Sequence, residues 1–210
     1  MANRRVSWPG KHGKKIKKKR IQMDDIFYGT PEKEFNTYDQ NLGYAIQQVK
    51  IEGLFLEFGV YNGRTLNQIH DMSGGKIVYG FDSFEGLPEE WNGLGKGFFK
   101  TTKPTPINDK VILVDGLFEE TLPKFNKSTV AFMHVDCDIY SAAKTVFDNF
   151  KDHIVSGTVI VFDEYYSYPD FRDHEYKAFK EFLEQTGKKC RPLGVVLPDG
   201  NACPASFIIL

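Results

Sequence analysis

The chain is poor in several things, and each absence excludes something. Of its 210 residues only three are cysteine (Cys137, Cys190 and Cys203), widely spaced and with no CxxC pair. That argues against a disulfide framework or a zinc site and suits a reducing, cytoplasmic setting. No apolar run approaches the roughly 18–20 residues of a membrane span. The first residues contain no continuous apolar segment of the secretory type. No internal repeat is visible. Residues 1–20 hold nine Lys or Arg and no Asp or Glu, which leaves 18 basic against 28 acidic residues in the remainder. The overall charge of −1 therefore hides a basic tail on an acidic body. Clustered like charges favour a disordered, solvated tail. Contact with nucleic acid or an anionic lipid surface is the alternative, and a single-strand binding surface is disfavoured because Trp8 is the only aromatic residue interleaved there. Residues 21–210 read as a single domain, long enough to bury a real core.

What is present is a set of hydrophobic runs, two of which end in acid clusters: Val130–Val135 before Asp136-Cys-Asp138, and Thr158–Phe162 before Asp163-Glu164. Each run reads as a buried strand. Carboxylates at the ends of such strands are costly unless they bind something. Neighbouring strands lie about 4.8 Å apart, so on adjacent strands Asp136, Asp163 and Glu164 would offer an all-oxygen site suited to Mg²⁺ or another divalent cation.

Five further runs behave as strands: Gly53–Phe58, Lys76–Asp82, Lys110–Val114, Leu193–Leu197 and Ala205–Leu210. Helices are expected over Thr37–Ile51, Gly63–Met72, Leu117–Phe125, Ser141–Lys151 and Asp170–Gln185. Residues 85–109, rich in Gly and Pro, read as an extended loop with Phe98 and Phe99 as lid candidates. Alternation of strands and helices, with apolar rather than period-two strands, predicts an α/β doubly wound, Rossmann-like fold. Its sheet is expected to be mostly parallel and seven-stranded, with a C-terminal antiparallel hairpin around Pro198–Asn201. Such sheets bind ligands beyond the carboxyl ends of their strands. The acids Glu57, Asp82, Asp115, Asp136 and Asp163 all fall at strand ends.

Leu56-Glu57-Phe-Gly59-Val-Tyr-Asn-Gly63-Arg-Thr65 is a strand, a glycine-bearing turn and a helix start. It lacks the middle glycine of GxGxxG, so a nicotinamide dinucleotide fits poorly. Asp82 ends the next strand, where an acid accepts hydrogen bonds from ribose hydroxyls. A ribose-bearing ligand with a zwitterionic tail fits better than a pyrophosphate.

On these residues the chain resembles a class I S-adenosylmethionine-dependent methyltransferase, and within that class the macrocin O-methyltransferase family, whose members include enzymes acting on macrolide sugars and on the novobiocin sugar. The matching stretches are Leu56–Gly63, Tyr79–Pro88, Asp115–Pro123, His134–Tyr140 and Val161–Tyr165. The resemblance implies a cofactor site with Glu57, Gly59, Gly63 and Thr65 at the methionine end, Asp82 and Ser83 at the ribose, and Asp115 and Gly116 at the adenine. It implies a Mg²⁺ site of Asp136, Asp163 and Glu164, with Asp138 as general base. The family usually has two adjacent aspartates at the second cluster, and Glu164 is longer by one methylene. Read from the residues alone, Asp138 has three roles open to it: base, second metal ligand, or helix cap ahead of Ser141. His134 reads as a packed, hydrogen-bonded residue. Lys144 reads as facing solvent or a carboxylate. Tyr165, Tyr166, Tyr168 and Phe171 wall a substrate pocket or pack the next helix. The leading expectation is an O-methyltransferase acting on a hydroxylated small molecule, such as a sugar or natural product. The alternatives are a metal-independent or RNA-directed methyltransferase and a non-catalytic cofactor binder. A homo-oligomer, with a second subunit supplying a pocket wall, stays open.

Overall fold

The structure is a computed structural model that describes residues 26–198 and 202–210. The basic tail and most of the Pro198–Asn201 turn lie outside the described residues. Strands run β1 (Lys33–Phe35), β2 (Leu54–Phe58), β3 (Val78–Asp82), β4 (Val111–Asp115), β5 (Val130–Val135), β6 (Ile154–Tyr166), β7 (Cys190–Val196) and β8 (Cys203–Ile209). Helices are α1 (Tyr38–Gln47), α2 (Arg64–Met72), α3 (Phe118–Thr121), α4 (Tyr140–Phe150) and α5 (Glu175–Thr186).

All eight strands form one sheet in the order β1-β7-β8-β6-β5-β2-β3-β4. Strand β8 runs antiparallel to both β6 and β7, and every other pairing is parallel. The expected seven strands are therefore joined by an eighth, β1. Its three residues, Lys-Glu-Phe, are too few and too polar to show a strand pattern, and only pairing with β7 defines it. The chain builds β2, β3 and β4 outward on one side and then crosses back to lay β5 against the other flank of β2. That reversal at β2/β5 opens a crevice above the sheet.

Both faces of the sheet are covered, which explains strands without alternation of apolar and polar residues. In β6, Ile160 and Phe162 face the layer of α4 and α5, whereas Val159 and Val161 face that of α1 and α2. Phe147 of α4 stacks on Phe182 of α5 at 5.0 Å between ring centroids. Helix α1 starts where Thr37 Oγ1 accepts the Gln40 N–H at 3.3 Å, the expected N-cap bond. The helix expected over Asp170–Gln185 is broken. A 3₁₀ turn, Phe171–Asp173, precedes α5, and His174 between them has φ −115° and ψ −127°.

The region expected to be an extended loop is folded as a flap. Leu87 N–H donates to Phe98 O and Gly97 N–H to Leu87 O, both at 2.8 Å, and Trp91 and Leu94 exchange backbone hydrogen bonds. Trp91 is buried and packs edge-on to Tyr168 and His174. Ser141 Oγ on α4 donates to Glu89 at 2.8 Å, tying the flap to the helix layer.

Candidate functional site

A cleft of about 930 Å³ lies over the carboxyl ends of β2 to β6. Gly59, Thr65, Asp82, Ser83, Gly116, Asp136, Asp138, Asp163 and Glu164 all line it. Of the site residues expected from sequence, Glu57, Gly63 and Asp115 do not. Glu57 is wholly buried beneath the floor. Gly63 sits at φ +79° as the N-cap of α2. Asp115 is exposed and pairs with Lys103 at 3.3 Å, while Gly116–Glu119 form that wall.

The glycine turn is shaped by two contacts. Gly59 has φ +91°, and a Cβ there would lie 1.7 Å from the Asp136 carbonyl oxygen. Only glycine lets the ends of β2 and β5 come this close. The second contact is Asp82, whose Oδ2 accepts the N–H groups of Val60 and Tyr61 at 2.8 Å each and whose Oδ1 accepts that of Phe84 at 2.7 Å. Asp82 therefore builds the loop. Its remaining lone pairs are what it can offer a ribose.

The two acid clusters meet. In β5 and β6, Val135 is in register with Phe162, so Asp136 and Asp163 are the next residues along. Strand β6 continues to Tyr166, which places Asp163 and Glu164 inside the strand and not beyond its end. Burial first, then Asp163 and Asp138, pushes the Asp136 carboxyl well above its ordinary range. Glu164 is raised in the same way, by burial and then by Asp138 and Asp163, and its buried Oε2 has no hydrogen-bond partner. Burial with Asp163 and Asp82 lifts Asp138 to about 8.

Two residues after Asp136, Asp138 would point to the same side if the strand ran on, but β5 ends at Val135 and Asp138 has φ +62°. A turn, not a strand, brings Asp138 into the cleft. The helix-cap reading fails, because the N-cap of α4 is Ile139 and it makes no side-chain cap bond.

Beneath the cluster lies a buried chain of polar groups. His134 Nδ1 is 3.1 Å from Glu57 Oε1, and its Nε2 is 2.8 Å from the Tyr38 hydroxyl. Burial holds His134 down to about 3 and pushes Glu57 up, Asp82 and Asp163 adding to the latter. Both shifts favour uncharged forms, so this contact is a neutral hydrogen bond and not an ion pair. Ligand atoms of His134, Asp136 and Asp163 lie within 4.8 Å of one another. With both ring nitrogens engaged, His134 is the poorest ligand of the three. The orphaned Glu164 oxygen and the all-carboxylate lining fit a hard divalent cation better.

Sequence reasoning missed Tyr38, Arg64 and Glu175. Tyr38 and Arg64 line the cleft, Arg64 paired with Asp39 at 3.7 Å. Glu175 is fully buried and accepts the Cys137 N–H at 3.0 Å. Arg64 was within reach, since it opens the helix after the glycine turn. Tyr38 and Glu175 approach from elements remote in sequence, and no local pattern marks them. Phe98 and Phe99 do line the cleft, and Phe99 meets Tyr61 edge-on at 6.2 Å. Tyr165, Tyr166, Tyr168 and Phe171 are buried core residues and form no part of its lining. Lys144 pairs with Asp148 one helical turn on.

Among the described residues, no helix is long and apolar enough to cross a membrane. The chain is 24% identical over 154 residues to the 8-demethyl-8-(2,3-dimethoxy-alpha-L-rhamnosyl)-tetracenomycin-C 4'-O-methyltransferase of Streptomyces olivaceus, a match covering 60% of this chain and 59% of that protein. It thus spans about three fifths of that relative's length. Among solved structures, the calicheamicin methyltransferase CalS11 superposes with a TM-score of 0.63 at 21% identity, over 81% of this chain and 77% of that one. An O-methyltransferase from Bacillus cereus in complex with SAH superposes at 0.52 and 14% identity, over 82% and 81%. These likenesses establish the fold, a Rossmann-like methyltransferase sheet. The family described as a methyltransferase domain matches residues 56–165, just over half of the chain, and this protein belongs to it.

Proposed function

We propose that this methyltransferase moves the methyl group of S-adenosylmethionine to a hydroxyl of a small molecule, such as a sugar or natural product, with the help of a divalent cation. The observation that carries this reading is the convergence of Asp136, Asp138, Asp163 and Glu164 on one cleft beside the glycine turn. S-adenosylmethionine, when bound, supplies an electrophilic methyl group, so the protein's task is to hold an oxygen nucleophile in line and remove its proton.

The turn at Gly59 and the start of α2 suit the methionine end, with Thr65 and the Arg64 guanidinium available to its carboxylate. Asp82 and Ser83 suit the ribose, and Gly116 with its neighbours the adenine. Asp136, Asp163 and Glu164 would hold Mg²⁺ or a similar ion, whose chemistry is to acidify and orient a substrate hydroxyl. Asp138, which lines the same cleft, would accept that proton. Exposed Tyr61, Phe98, Leu117 and Leu197 surround the cleft mouth and suit a substrate with an apolar skeleton. The relatives' names agree with an oxygen acceptor: one is a rhamnosyl-tetracenomycin 4'-O-methyltransferase and another an O-methyltransferase from Bacillus cereus.

The test is calorimetry with S-adenosylmethionine, with and without Mg²⁺, joined to turnover on a panel of hydroxylated glycosides. Asp138→Asn is expected to bind cofactor as the parent does while turnover falls roughly 10²- to 10⁴-fold. Turnover that survives both EDTA and Asp163→Asn would remove the cation from the proposal. Failure to bind S-adenosylmethionine would remove all of it.

A further inference from the structure

Glu175 is a carboxylate for which the chemistry above has no use. It opens α5, is fully buried, and stands among Asp138, Asp163 and Glu164. Burial raises its carboxyl well above the ordinary range; the Cys137 N–H draws it back in part, and Asp138 and Asp163 raise it further. A residue kept for packing alone would not be an acid in such a place. Its hydrogen bonding shows what it does. Oε1 accepts the Cys137 N–H at 3.0 Å, while the buried Oε2 has no hydrogen-bond partner.

The turn it grips is a strained one. Ile139 N–H donates back to Cys137 O at 2.6 Å around Asp138 at φ +62°. That is the γ-turn with positive φ at its centre, the rarer and more strained form. Such a conformation persists only where the surroundings over-determine it. The sheet stops holding the chain at Asp136, whose N–H donates to Phe58 O at 2.8 Å. Helix α4 supplies no side-chain cap. Between these two anchors the Cys137 amide is held by Glu175.

We propose that Glu175 is a positioning residue: its side-chain oxygen clamps the Cys137 amide, holds the 137–139 turn, and so aims Asp138 at the substrate hydroxyl. This rests on the reading of Asp138 as the proton acceptor.

Three variants of the full chain test it. Glu175→Gln keeps an oxygen acceptor at full reach without the charge. Glu175→Asp keeps the charge but draws the acceptor back by one methylene. Glu175→Ala removes the clamp. Amide hydrogen exchange across residues 136–140 is measured beside kcat and the KM values for cofactor and acceptor. Exchange at Cys137 is expected to quicken in the Ala and Asp variants and to stay slow in Gln. The value of kcat should fall roughly 10- to 100-fold in Ala, as a misplacement on the order of 1 Å does, with the KM for cofactor unchanged. Gln should recover most of the activity, and more than Asp. If Asp is active and Gln is not, the charge matters and the clamp is wrong. Unchanged exchange and kcat in Ala would also overturn it, and should Ala fail to fold, the order of Gln and Asp decides alone. Were the parent protein to show no methyl transfer at all, the function would be misassigned, while the exchange data would still read the clamp.

Discussion

Among the glycines of the described residues, Gly59 has the least room to change. Its φ of +91° and the Asp136 oxygen 1.7 Å from any Cβ leave an alanine nowhere to go, since the opposing atom is backbone. Gly59→Ala should destabilise the protein by about 3 kcal/mol and weaken cofactor binding at least roughly tenfold, measured by urea unfolding and calorimetry. Near-parental values for both would show that the ends of β2 and β5 are not packed as described. His134 carries a prediction about pH. The folded protein keeps it neutral down to about 3, whereas the unfolded chain protonates it below roughly 6.5. Its contribution to stability is therefore present above pH 6.5 and lost as pH falls from there toward 3. Glu57, raised by burial, acts oppositely, losing stability as pH rises above the ordinary carboxylate range. Between pH 7 and pH 5 the parent should lose about 2 kcal/mol more than His134→Gln, and parallel pH curves would refute this. At this scale the sequence revealed which residue types mattered, because acids after apolar runs are conspicuous. It did not reveal Tyr38 or Glu175, whose meaning lies in what they touch.

The elements follow local rules closely and depart from them where packing decides. Thr37 caps α1, and Gly187 at φ +67° ends α5 as a left-handed C-cap. Capping of this kind is a property of a few adjacent residues. Strand β6 runs past its apolar stretch to Tyr166 because pairing with β8 continues to Cys203, so its acids sit within a strand. The flap over residues 85–100 escaped a reading based on Gly and Pro content, because its order comes from bonds such as Leu87 to Phe98 and from the Trp91 anchor. The helix layer of α4 and α5 rests on aromatic stacking. Phe147 touches Phe162, Phe179 and Phe182 at centroid distances of 6.2, 5.7 and 5.0 Å. Phe147→Ala should lower unfolding free energy by about 3–5 kcal/mol. A loss below about 1 kcal/mol in urea titration would mean that this layer is not packed as the structure has it.

For the whole molecule the strand order governs function, since the reversal between β2 and β5 sets the glycine turn beside the acid cluster. A ligand that needs this assembled cleft binds the folded state alone. S-adenosylhomocysteine at 100 times its Kd should therefore stabilise the protein by about 2.7 kcal/mol, seen as a shift of the urea midpoint that Gly59→Ala abolishes at the same concentration. An equal shift in both proteins would place the ligand elsewhere. The doubly wound class, the parallel core with its final antiparallel pair, and the acids at the ends of β3, β4 and β5 were legible from the order and spacing of residues, because hydrophobic periodicity and strand-end chemistry are local. Only the tertiary structure decided that Asp163 stands next to Asp136, that Asp138 reaches the cleft through a strained turn and not along a strand, that Glu57 lies below the floor, and that an eighth strand closes the sheet. Each of those depends on elements far apart along the chain being brought within hydrogen-bonding or charge–charge distance, and no window of sequence contains that information.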